Sequence, residues 1–168
     1  ALGVAAMVFP EDYKAIVLEG SSTGTFGVAD GTPEWPRNLA VVFSKYDEFS
    51  ALMWLTPVPV DVPASEKLMA VFGTDEPVVP GKLYGSIEDG TGRMFFQPNT
   101  IHPGDHLSQE AIGNAVEWFQ MTLDGGNGLD PAKQIWYWKE LGNLIATVGM
   151  IMLLLPLGML LLKLTFFK

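Results

Sequence analysis

From Leu141 to Leu162 the sequence, LGNLIATVGMIMLLLPLGMLLL, carries no charged side chain. A helix needs about 20 consecutive apolar residues to cross the hydrocarbon core of a bilayer, whereas buried core helices rarely exceed ten to fourteen. The flanks fit a span as well. Trp136, Tyr137 and Trp138 precede it, where aromatic rings settle at the interface, and Lys163, Phe166, Phe167 and Lys168 follow it. Pro156 and the glycines at 149 and 158 are tolerable in such a helix. The segment predicts a single C-terminal transmembrane helix, and the expected partner of residues 141–162 is membrane lipid.

Charge separates on the two sides of this run. Residues 1–140 hold all 19 Asp+Glu and eight of the ten Lys+Arg, a net charge of −11, while the tail holds Lys163 and Lys168. An acidic portion of this size excludes a nucleic-acid binder that works through a basic face. Lys133 and Lys139 before the span balance the two lysines after it, so positive charge alone does not orient the helix. An anionic cytoplasmic surface does not retain an acidic domain, and the expectation is an extracytoplasmic globular portion with the tail inside. The absence of cysteine removes disulfides, thiolate metal sites and cysteine nucleophiles. Both histidines, His102 and His106, lie in one short stretch.

Before the span, apolar runs alternate with turn-rich segments. ALGVAAMVF (1–9) is composed of helix formers and stops at Pro10. KAIVLE (14–19) and NLAVVF (38–43) are short apolar runs of the kind buried on both faces of a parallel sheet. Residues 20–36 form a loop rich in Gly, Ser, Thr and Pro. Prolines 57, 59 and 63 oppose regular structure until about Ala64, where ASEKLMAVFG can make a short helix. Residues 83–87 and 93–97 flank EDGTG and read as a hairpin or two adjacent strands. Ser108 can N-cap a following helix, with Glu110 in its first turn and Ile112, Val116, Phe119 and Leu123 at the spacing of one buried face. Strand, loop, strand, helix, strand, helix implies an α/β layered domain with a largely parallel sheet.

Functional groups of such sheets gather at the carboxyl ends of the strands. Asp47 follows NLAVVF, and His102 follows RMFFQ. An acid after one strand and a histidine after the next is the order in which an α/β-hydrolase places its last two triad members. Alternatives stay open, because Asp47 could equally cap a loop and His102 could be a solvated imidazole. His102 and His106 do not make a metal pair, since Pro103-Gly104 between them opposes the helix that would face both one way. The glycines of residues 20–31 lack the lysine of a phosphate loop, and Leu52-Met53-Trp54 could line an acyl pocket or simply pack. No cofactor is expected.

Taken in order, PEDYKAIVLEG, PRNLAVVFSKYDEF, YGSIEDGTGRMFFQPNTIH and QEAIGNAVEWF resemble the C-terminal half of an α/β-hydrolase. With QIWYWKELGNLIATVG added, the chain resembles membrane-attached α/β-hydrolase-like proteins of prokaryotes. The resemblance implies a partial α/β-hydrolase-like sheet over residues 1–124, a linker and aromatic juxtamembrane segment over 125–140, the span at 141–162 and a basic tail at 163–168. It implies Asp47 as the triad acid and His102 as the triad base, in an ester or acyl hydrolase. It also places the serine elbow and oxyanion loop before the region matching ALGVAAMVF, outside these residues. The expectation is a chain inactive alone, completed by another polypeptide or by a missing N-terminal half. Ser21, Ser22 and Ser44 lie near strand ends and are the substitutes to test against that. The alternative is a non-catalytic single-span subunit of a membrane complex, using a remnant hydrolase domain as a docking surface.

Overall fold

A computed structural model describes residues 2–167, leaving Ala1 and Lys168, one of the two expected tail lysines, outside the described residues. It divides into two units, 1–133 and 134–168.

The first unit is built on a four-stranded mixed sheet of order β1-β2-β4-β3. Strands β1 (Ile16–Glu19), β2 (Leu39–Val42) and β4 (Arg93–Phe96) run parallel, in the register Leu18↔Val41 and Val41↔Phe95. The short β3 (Leu83–Tyr84) lies antiparallel to β4 beyond the EDGTG turn, so the sheet is mixed where a largely parallel one was expected.

Side chains of a strand alternate between its faces, and here that alternation builds two cores. Ile16, Leu18, Leu39, Val41, Phe43 and Phe95 enter one, with Trp54, Val62, Leu68 and Phe72 packed over them. Ala40, Val42, Met94 and Phe96 enter the other, under Ala111 and Trp118. The two central strands are therefore buried on both faces, which is why they read as unbroken apolar runs.

Helices cover the two faces. Helix α1 spans Leu2–Val8, and α2 is a single turn at Ser50–Met53. The proline-rich stretch forms a 3-10 helix at Pro59–Ala64, since prolines 59 and 63 accept the φ of that helix even though they stop an α-helix. Helix α3 (Glu66–Phe72) starts where Ser65 Oγ accepts the Leu68 N–H and ends at Gly73 in the left-handed conformation. Helix α4 (Gln109–Thr122) is capped by Ser108, whose Oγ accepts from Ala111 N, as the sequence implied. Its buried face differs from the expected one. Ala111, Trp118 and Thr122 point inward and Ile112 and Val116 are half-buried, whereas Phe119 and Leu123 are exposed. The period is right and the phase is not, because the Trp118 ring fills the space over Val42 and Phe96.

The second unit is helix α5, Trp136–Leu161, with a 3-10 turn after it at Thr165–Phe167. Its 26 residues reach a mean hydropathy of 2.5 over the most apolar window. At about 1.5 Å per residue the helix exceeds the roughly 30 Å of hydrocarbon in a bilayer. It is long and apolar enough to cross a membrane, and none of its described residues is buried. The helix begins at Trp136, so the aromatic triplet 136–138 lies in its first turn.

Candidate functional site

The three parallel strands end on one edge of the sheet, and each delivers polar groups there. Glu19 and Gly20 close β1, Ser44 and Asp47 follow β2, and His102 and Asp105 follow β4. The loop after β4 is held to the loop after β2 by backbone bonds from Lys45 N to Pro98 O (2.9 Å) and from Tyr46 N to Thr100 O (3.1 Å). Glu110 of α4 fastens the same loop, its carboxylate accepting from Asn99 N at 3.0 Å. His102 opens a 3-10 turn, His102–Gly104.

Asp47 and His102, drawn from segments 55 residues apart, meet here. His102 Nδ1 lies 2.9 Å from Asp47 Oδ2, while Asp47 Oδ1 accepts the Phe49 N–H at 2.8 Å. The Asp47 side chain is 0% exposed and that of His102 29%. The Phe49 ring stands edge-on to the imidazole, with centroids 4.7 Å apart. One nitrogen of the imidazole thus faces a buried carboxylate, which sets a preferred tautomer and leaves Nε2 for chemistry.

Two further residues of this cluster were not singled out from the sequence. Asp105 is fully buried; its Oδ1 accepts from the buried Ser44 hydroxyl, and its Oδ2 has no partner. Desolvation pushes the Asp105 carboxyl above its usual range; the Ser44 bond opposes this and the Asp47 charge adds to it. Glu19 is raised as well, chiefly by burial, with the His106 contact working the other way and Asp105 adding to the rise. His106 Nδ1 lies 3.6 Å from Glu19 Oε2, and its side chain is 67% exposed.

The serines are accounted for differently. Ser44, proposed as a substitute nucleophile, is 0% exposed and donates its hydroxyl hydrogen bond to Asp105, so it is structural. Gly20-Ser21-Ser22-Thr23-Gly24 satisfies G-x-S-x-G directly after β1, yet it is not built as an elbow. No helix follows before β2, and Ser22 is not among the residues with positive φ. Its buried hydroxyl meets Thr25 Oγ1 at 3.1 Å and Met53 Sδ at 3.7 Å, and accepts from Lys67 Nζ at 3.4 Å. Burial lowers the Lys67 pKa, with Asp30 opposing, but its ammonium is already committed to Met53 O at 2.7 Å. Ser21 lines a cavity of about 310 Å³ with Glu19, Ser22, Thr25 and His106. Met53 and Trp54 belong to the core, so the Leu52-Met53-Trp54 stretch is mainly packing.

Asp47, His102 and Asp105 bring ligand atoms within 4.8 Å of one another, enough to grip a divalent cation. The Asp47–His102 bond and the Ser44–Asp105 bond already use an atom of each residue, and the arrangement is that of a hydrogen-bonded cluster. His106 stands apart from the cluster, on Glu19.

Together, fold and site define an α/β layered domain with a buried acid against a partly exposed imidazole at the carboxyl ends of its parallel strands. No protein-family model matches the chain, and neither does any curated protein or solved structure.

Proposed function

We propose that this is a membrane-anchored, α/β-hydrolase-like protein whose globular unit supplies the acid and the base of an ester- or acyl-hydrolysing site. The observation that carries the reading is the 2.9 Å contact between a wholly buried Asp47 and a partly exposed His102 at adjacent strand ends. Asp47 accepts the Nδ1 proton and fixes the tautomer in which Nε2 is the base. Nε2 takes the proton of a serine hydroxyl as it attacks the acyl carbon, and Asp47 stabilises the imidazolium. The proton then goes to the departing alcohol, and water attacks the acyl-enzyme by the same route.

The nucleophile comes from a polypeptide segment outside these 168 residues, so the chain alone is inactive. Two features support this. None of Ser21, Ser22 and Ser44 is hydrogen-bonded to His102. Beyond β1 the sheet has no further strand among the described residues, and Leu2, Ala5, Phe9, Tyr13 and Ile16 line an apolar groove beside it. An open edge flanked by apolar surface calls for a covering polypeptide. Helix α5 anchors the protein in lipid, with the acidic unit on the extracytoplasmic side.

The same open edge favours a second reading, a non-catalytic single-span subunit docked through its remnant domain. Fluorophosphonate labelling of the native, detergent-extracted protein separates the two. The hydrolase reading expects a labelled serine outside residues 1–168, labelling lost in His102→Ala, and only background p-nitrophenyl ester hydrolysis by the 168-residue chain. A native product of this length, found only in a complex and never labelled, gives the subunit reading. Labelling of Ser21, Ser22 or Ser44 overturns the assignment of the nucleophile.

A further inference from the structure

The two polar contacts between the loops after β2 and β4 form a ladder. Ser44 and Asp47 are three residues apart on one loop, His102 and Asp105 three apart on the other, and they pair in reverse order, 47 with 102 and 44 with 105. Asp105 N–H also returns to His102 O at 3.2 Å, so the two residues share one closed turn, and the Ser44 hydroxyl holds the carboxylate. A single hydrogen bond lets a ring pivot about it; a second rung on the same short turn removes that freedom.

Gly20 supplies the floor. Its φ is +54°, and a Cβ there would stand 2.8 Å from Asp105 Oδ2 and 2.9 Å from His102 Nδ1 and Cε1. The β1 end therefore presses backbone against both rungs at once, a close approach that only glycine permits.

We propose that Asp105 is a positioning residue for His102: latched by Ser44 to the end of β2 and backed by Gly20, it sets the imidazole plane against Asp47. This rests on reading Asp47 and His102 as the acid–imidazole pair. Asp105 touches no reacting atom; it acts through the turn it closes.

The test needs no substrate. Histidine ring 15N spectra of the full chain in micelles report the tautomer of each imidazole, and His106→Gln assigns the two signals. The expected wild-type His102 signal is that of the Nδ1–H tautomer. Ser44→Ala and Asp105→Ala are each expected to shift the tautomer ratio about tenfold towards Nε2–H, the scale of one hydrogen bond to a charged group. Asp105→Asn, which still accepts from Ser44, is expected to restore the wild-type ratio. If Asp105→Ala does not fold, Ser44→Ala and Asp105→Asn carry the comparison. Wild-type ratios in Ser44→Ala overturn the latch, as does an Asp105→Asn that behaves like the loss of Ser44. Asp47→Asn is the separate control. If it leaves the His102 tautomer unchanged, the acid–imidazole pair itself is wrong; if it changes the tautomer while Ser44→Ala does not, only the latch fails.

Discussion

His102 and His106 stand on one short loop, each against a carboxylate from a neighbouring strand end, yet the two contacts differ in kind. Asp47 is wholly buried and lies within hydrogen-bonding distance of a ring that is itself mostly covered. Glu19 is mostly covered but not wholly buried, and its imidazole is largely in water at 3.6 Å. Residue types and sequence spacing would rank the pairs equally. What separates them is desolvation, which strengthens a short polar contact and punishes a loose one. The difference teaches that the turn at His102–Gly104, with Asp105 behind it, selects one imidazole for contact with a dry carboxylate.

The largest expected effect breaks the inner pair. Asp47→Ala removes the acceptor for both His102 and the Phe49 N–H and leaves those donors facing a covered space. A loss of about 2–3 kcal/mol is expected, as for other buried charged hydrogen bonds. His106→Ala, which removes an exposed ring, is expected to change stability by less than about 0.5 kcal/mol. Urea denaturation in micelles, followed by fluorescence of the buried Trp54 and Trp118, measures both. Equal losses from the two variants would erase the distinction.

A smaller effect tests whether the close packing around the inner pair is needed. Gly20→Ala puts a methyl group against Asp105 Oδ2 and the His102 ring, in a backbone conformation that disfavours any side chain. The expected cost is about 2 kcal/mol. It should appear together with partial loss of the Nδ1–H tautomer in His102, while the His106 ring signal stays in place. A stable Gly20→Ala protein with an unchanged His102 signal would show that the floor is dispensable.

Asp47 and His102 were legible because strand ends can be read from apolar runs, and chemistry collects just past them. The core strands were legible for the same reason, as Leu39–Val42 and Arg93–Phe96 are buried on both faces. Asp105 was not, and Ser44 was legible only as a candidate nucleophile and not as the partner of Asp105, although Ser-x-x-Asp and His-x-x-Asp carry matching spacings that pair once the loops are known to run side by side. The phase of α4 was missed because hydrophobic periodicity cannot weigh one tryptophan against Phe119 and Leu123. Arg93 is a further case. It is 1% exposed and donates to Val71 O, Gly92 O and Thr32 O, and burial lowers its pKa to about 10. No local pattern announces a guanidinium that binds only carbonyls brought together by the fold.

The smallest expected effect concerns the outer pair and sharpens the comparison through pH. Burial raises the Glu19 carboxyl above its ordinary 4.5, with His106 and Asp105 acting in opposite senses. The folded state therefore keeps this proton to higher pH than the unfolded chain does. The resulting cost to stability is absent below the unfolded value, grows as pH rises from there through the raised folded value, and is constant beyond it. Glu19→Gln removes the ionisation, so it should stabilise the protein near pH 7. That gain should shrink towards zero as pH falls well below the unfolded value, to about pH 3, where the wild-type carboxyl is protonated in both states. Denaturation midpoints of the two proteins at the two pH values supply the measurement. A Glu19→Gln protein less stable than wild type near pH 7 would mean that the 3.6 Å contact with His106 outweighs desolvation, and the outer contact would then be a stabilising one like the inner.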